Sequence, residues 1–144
     1  MNSEPQVHTS NTIAHVFRLK PGDDLYQSLK TYVNTHKISS AFIMTCVGSL
    51  QKINIRLAEA TDYLINEAHY EITSLVGCLS CNDRIHLHIT LSDKNGTCYG
   101  GHLSSEGNII FTTAEIVLGE LPQLVFTKEK DEISGWDELK VLSK

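Results

Sequence analysis

The chain has 144 residues, 41% of them hydrophobic, and a formal net charge of −5 at pH 7. That is the length of one ordinary domain, with apolar content enough to bury its own core. An acidic balance with only three arginines (Arg18, Arg56 and Arg84) argues against nonspecific attachment to a phosphate backbone, and no apolar run approaches the roughly 20 residues of a membrane helix.

Residues 1–11 are polar and patternless, which predicts a flexible N-terminal tail ahead of a single domain over 12–142. The start also lacks a basic-then-apolar leader, so an intracellular, cytoplasmic location is expected. His15-Val16-Phe17-Arg18-Leu19-Lys20 alternates and reads as the first strand, ended by Pro21-Gly22. Asp23 or Asp24 can cap the helix that follows, in which Leu25, Leu29, Tyr32 and Val33 recur on one face. The helix should end near His36-Lys37, where basic side chains suit the negative end of the dipole.

From Ser40 onward the pattern is that of strands. Ala41 to Val47 is a nearly continuous apolar run, as in a strand covered on both faces. Gly48-Ser49 interrupts it; Ile53, Ile55 and Leu57 then alternate with Asn54 and Arg56. Asp62 to Asn66 reads as a loop or a short edge segment, and Tyr70 to Gly77 as a further strand leading through Cys81-Asn82-Asp83.

Next comes Arg84-Ile85-His86-Leu87-His88-Ile89-Thr90-Leu91, whose period of two puts both histidines on the polar face of a half-buried strand. Asn95-Gly96 is a hairpin signal, and Gly100-Gly101-His102-Leu103 lies beyond it. A three-residue loop, Lys94-Asn95-Gly96 with Gly96 left-handed, pairs Asp93 with Thr97. Counting outward, His88 then lies opposite His102, with His86 diagonal to it on the same face. Opposed Cβ atoms stand roughly 4.5–5.5 Å apart and diagonal ones about 7–8 Å, so three imidazoles converge. A slip of one residue would send His102 to the other face.

Three clustered imidazoles suit a divalent transition metal, zinc by default, although an all-nitrogen site also accommodates iron or nickel. Three protein ligands leave one position open. Any one of these histidines alone would more simply be a surface residue of a hairpin. Gly100 and Gly101 are consistent with a close approach by backbone or ligand. Thr90 and Ser92 extend the polar face, although threonine is also simply a good strand residue.

Ser104 to Asn108 is a polar turn, after which Ile109 to Leu118 re-enters the core. Glu115 lies within that apolar stretch, where an unpaired carboxylate is costly. It could orient a metal ligand or pair with Arg56; the plainer expectation is a solvated strand position or a subunit boundary. Leu124 to Thr127 is the last clear strand, and the charged end holds the only tryptophan, Trp136. The four cysteines (Cys46, Cys78, Cys81, Cys98) read as reduced thiols. Cys78-Leu79-Ser80-Cys81 spells CxxC, but it ends a strand and has no second pair. The inventory of six to eight strands and one main helix predicts an α+β fold with a mainly antiparallel sheet.

Several of these segments together resemble one family. Leu87-His88-Ile89-Thr90-Leu91, Gly100-Gly101-His102-Leu103 and Thr113-Ala114-Glu115-Ile116-Val117 are similar to the signature of the PPC domain, the plant and prokaryote conserved domain. Tyr70 to Gly77 matches the family's aromatic-Glu-Ile strand, and the resemblance runs from about His15 to about Thr127. It implies one helix packed on an antiparallel sheet, a homotrimer, and in stand-alone prokaryotic-type members a metal on His86, His88 and His102. In plants the domain follows AT-hooks and contacts transcription factors. This chain has no Arg-Gly-Arg-Pro hook, and Ala68-His69 replaces the Gly-Arg that opens the plant partner-binding strand.

The leading expectation is therefore a trimeric metal-binding module that recognises a small ligand or a partner protein. A hydrolase or lyase using metal-bound water ranks second, because no general base beside the histidines is evident. A DNA-associated regulator is third and rests on family analogy alone, direct DNA binding being disfavoured by charge and by the missing hook.

Overall fold

The computed structural model describes residues 4–144. Along the chain run β1 (Ile13–Leu19), α1 (Leu25–Thr35), β2 (Ala41–Arg56), β3 (Tyr63–Ser80), β4 (Arg84–Ser92), β5 (Cys98–Leu103), β6 (Ile109–Glu120), β7 (Leu124–Lys130) and β8 (Asp137–Ser143). A 3₁₀ turn at Ala58–Ala60 separates β2 from β3. The α+β expectation holds: the main sheet has the order β1-β6-β2-β3-β4-β5, every pairing in it is antiparallel, and a single α-helix packs on it among the described residues.

The sheet is held closed at one end. β5 pairs with β4 and also returns to β2, matching Ile55 with Leu103 and Arg56 with His102. Strands β2 to β5 thereby form a closed circuit, and the end of β2 is drawn up to the end of β5. β2 and β3 are long, 16 and 18 residues. Gly48-Ser49 does not break β2 as expected, because register shifts between Gly48 and Lys52 absorb the irregularity as bulges. Asp62 to Asn66, expected as a loop or a short edge segment, is largely part of a long strand: β3 begins at Tyr63, and Asn66 pairs with Ile53.

Helix α1 starts on Asp24, whose Oδ1 accepts from Gln27 N at 3.0 Å. Asp23 has a different task, accepting from Lys20 N in the preceding turn. The helix ends in a Schellman arrangement, with Ile38 N donating to Val33 O and Lys37 N to Asn34 O. Lys37 takes the left-handed conformation this needs (φ 53°). Leu25, Leu29 and Val33 are fully buried; burying such a side chain contributes about 1.5–3 kcal/mol.

Asn108 locks the turn before β6 to β2. Its side chain exchanges two hydrogen bonds with the Asn54 backbone, as a strand partner would, while Leu25 N donates to Asn108 O. Two expectations need correction. Ala41 to Val47 is covered on one face only, since Met44 and Val47 are 50% and 56% exposed. The chain also does not end its strands at Thr127: β7 runs to Lys130 and pairs with β8 in a second, two-stranded sheet. The described residues ahead of β1 carry no regular structure, but Asn11 N and Ser10 Oγ both donate to Gln123 Oε1. No helix among the described residues is long and apolar enough to cross a membrane.

Candidate metal centre

The site is built on the β4–β5 hairpin, and the loop sets its register. Asp93 and Thr97 close a three-residue loop: Asp93 N donates to Thr97 O at 3.0 Å, and Gly96 is left-handed at φ 78°. The Asp93 carboxylate accepts from Asn95 N and Thr97 N, and these bonds hold its pKa below the usual range. A charge acceptor thus clamps the turn from within. His88 lies opposite His102, as the spacing predicts.

The three imidazoles of His86, His88 and His102 meet, each offering a nitrogen within 4.8 Å of the others. His86 Nε2 and His88 Nε2 are 3.2 Å apart. Two nitrogens bound at about 2.05 Å to one tetrahedral zinc stand about 3.3 Å apart, so this pair is already at ligand spacing. His102 Nδ1 is buried and has no hydrogen-bond partner among the described residues, which leaves a lone pair or a proton unmet at a cost. The donor set, three nitrogens and no sulfur, is that of an open zinc, iron or nickel site.

The surroundings keep two of these rings, His86 and His102, neutral. Burial, then the Arg56 guanidinium and the neighbouring histidines, push His102 down to about 4. Burial, with Arg84 and His88 beside it, also lowers His86, against a smaller opposing pull from Glu138. At neutral pH both therefore present lone pairs. Arg84 Nη2 lies 3.1 Å from His86 Nδ1, and arginine can only donate. The proton of His86 consequently sits on Nε2 and is donated to His88 Nε2.

A groove of about 770 Å³ runs over the triad. Thr90, Gly100 and Gly101 form part of its floor, Arg56 and Arg84 line it, and the Leu57–Ala60 turn and Trp136–Glu138 make its walls. The Gly100–Gly101 pair is explained chiefly by backbone packing. A Cβ on Gly101 would fall 2.5 Å from Arg56 O, so only glycine lets β5 close onto β2. Ser92 lies at the far end of β4, opposite Cys98.

Glu115 is not part of this site. It is exposed on β6, between Arg18 of β1 and Val47 of β2. Arg56 lies nine residues further along β2, about 30 Å at the rise of an extended strand. Neither a bond to one of the three histidines nor a pair with Arg56 is open to it within the chain; it is exposed, as the plainer expectation of a solvated position or a subunit boundary requires. The cysteines are free, and they contribute to no metal-type cluster among the described residues. Burial pushes the Cys46 thiol up to about 12, and Cys78 upward as well.

Two features of the groove escaped the sequence reading. Arg84 shares the polar face of β4 with His86 and His88, so its position two residues earlier was a usable signal. Trp136 had none: it reaches the site only because β8 brings it over Arg56, whose guanidinium carbon sits 5.6 Å from the indole centroid. Arg84 Nη1 donates to Asp137 O at 2.8 Å and ties that wall down.

Comparison with known proteins places the fold in a family. The model of the Plants and Prokaryotes Conserved (PCC) domain matches residues 7–122. A hypothetical protein from Salmonella cholerae-suis shares 34% identity at a TM-score of 0.92, over 95% of this chain and 98% of that one. A protein from Archaeoglobus fulgidus described as metal-containing is 26% identical, with a TM-score of 0.77 over 94% and 99% of the two chains. The bifunctional protein GlmU of Synechococcus sp. (strain JA-2-3B'a(2-13)) is 39% identical over 140 residues, 96% of this chain but 22% of that protein's length. The chain thus spans about a fifth of that curated relative.

Proposed function

The chain belongs to the Plants and Prokaryotes Conserved domain family, the PPC domain of the sequence reading, and from that premise we propose a metal-binding module that takes up a small ligand or a partner beside the ion. His86, His88 and His102 would hold the metal, with zinc the first candidate. The observation that carries the reading is the meeting of three imidazoles, two of them already at ligand spacing, beneath a groove. The metal-containing relative from Archaeoglobus fulgidus supports it.

A bound divalent ion supplies Lewis acidity and can lower the pKa of a coordinated water to about 7. The chain's own part is to present lone pairs. His86 must move its proton from Nε2 to Nδ1 to become a ligand through Nε2. Arg84 Nη2 must then release Nδ1, because two donors cannot share that contact. Equilibrium dialysis against zinc tests the site. Saturable uptake by the wild type and its loss in His88→Ala are expected; equal uptake by both would contradict the assignment.

A second reading, a metal-dependent hydrolase or lyase, is favoured by the size of the groove and by the Asp137 and Glu138 carboxylates along its wall. Zinc-dependent turnover of an ester or lactone panel would support catalysis, and its absence the binding module. We also propose assembly as a homotrimer. Support comes from the apolar side chains left on the sheet: Val16, Val47, Val76 and Met44 are each at least half exposed.

A further inference from the structure

Two of the chain's three arginines, Arg56 and Arg84, line the same groove as the histidines. Among the described residues neither has a carboxylate oxygen within 4.0 Å. Arg56 is half-buried, and its guanidinium makes no hydrogen bond among the described residues; it lies over the face of Trp136. Arg84 donates to a backbone carbonyl and to His86, and its buried Nε has no acceptor among the described residues. The acidic residues of the groove, Glu59, Asp137 and Glu138, are all exposed at its rim. Glu138 is engaged further by Ser134 Oγ at 3.0 Å. The inner part of the groove is therefore cationic, with its carboxylates held at the rim and in no ion pair with either arginine, an arrangement that costs stability unless a ligand supplies the opposite charge.

We propose that Arg56 and Arg84 form an anion subsite beside the three histidines, so that the groove takes a small molecule carrying a carboxylate or phosphate group. Guanidinium donors suit both groups through paired, charge-assisted hydrogen bonds. The proposal deepens the metal reading and rests on it: a divalent ion adds positive charge next to the arginines, and ligation by His86 frees Nη2 of Arg84.

The test is calorimetric titration of the zinc-loaded protein with inorganic phosphate and, separately, with malonate. Wild type, Arg56→Gln, Arg84→Gln and the control Arg18→Gln on the remote strand β1 are compared, with zinc content measured on the same samples. Saturable binding of one or both anions is expected, weakened about tenfold or more by substitution at Arg56 or Arg84 and unchanged by Arg18→Gln. The tighter of the two anions identifies the group as phosphate or carboxylate, and either groove variant suffices if the other fails to fold. Absence of binding to the zinc-loaded wild type would overturn the subsite. Equal binding by the wild type and both groove variants would also overturn it, by placing the anion on the ion alone. A wild type that takes up no zinc would instead refute the underlying metal reading.

Discussion

His102 carries the largest electrostatic load in the site. Its pKa in the folded chain is about 4, below the ordinary 6.5. Between those values the unfolded chain binds the proton more readily, so this group's contribution to stability is intact above pH 6.5 and lost as pH falls towards 4. The melting temperature of metal-free wild type should therefore drop more between pH 7 and pH 4 than that of His102→Gln. Parallel pH profiles would show that the ring is not held neutral by its surroundings. Asn108, fully buried, matters for a different reason. Asn108→Ala takes the acceptor from Asn54 N, while Asn54 O keeps Ser104 N, and an unmet buried group costs about 1–3 kcal/mol. Chemical denaturation should register a loss in that range; a loss under about 0.5 kcal/mol would mean that water replaces the side chain.

At the level of elements, the hairpin loop decides whether a site exists at all. Inserting one glycine between Asn95 and Gly96 should slip the register and turn His102 to the opposite face. Zinc uptake should then be abolished while far-ultraviolet circular dichroism retains its strand signal; retained uptake would mean that some other contact sets the register. This hairpin was legible in the sequence because each determinant is local: the alternation of Ile85, Leu87, Ile89 and Leu91, the Asn95-Gly96 turn, and the Gly100-Gly101-His102 offset. Helix α1 was legible for the same reason, through Asp24 and the Leu25–Leu29–Val33 spacing. Strand β8 was not. Asp137-Glu138-Leu139-Lys140-Val141-Leu142-Ser143 has weak alternation and a charged start, and its partner β7 stabilises it across the turn. Tyr63 to Asn66 likewise became strand only because β2 runs alongside it, a case of pairing overriding a polar, turn-like composition.

For the whole molecule, the closure of β5 onto β2 is what assembles the groove, and no local pattern reports it. Arg56 and His102 are 46 positions apart and paired; Trp136 arrives from beyond the segment matched by the family model. The same long-range view bears on assembly. A sheet with Val16 and Val47 at 76% and 56% exposure has apolar surface to cover. Light scattering should give the mass of three chains for the wild type, and Val47→Glu should lower it to that of one chain by placing a charge in the interface. A monomeric wild type would remove the trimer proposal and leave the metal site untouched.

The triad is the central claim, and elemental mass spectrometry of the purified, untagged protein beside His102→Ala tests it most directly. About one divalent metal per chain in the wild type, lost in the variant with its fold intact, is the expected result for an open three-histidine site. No metal in the wild type, or equal metal in both proteins, would contradict it and leave three histidines on the face of a hairpin.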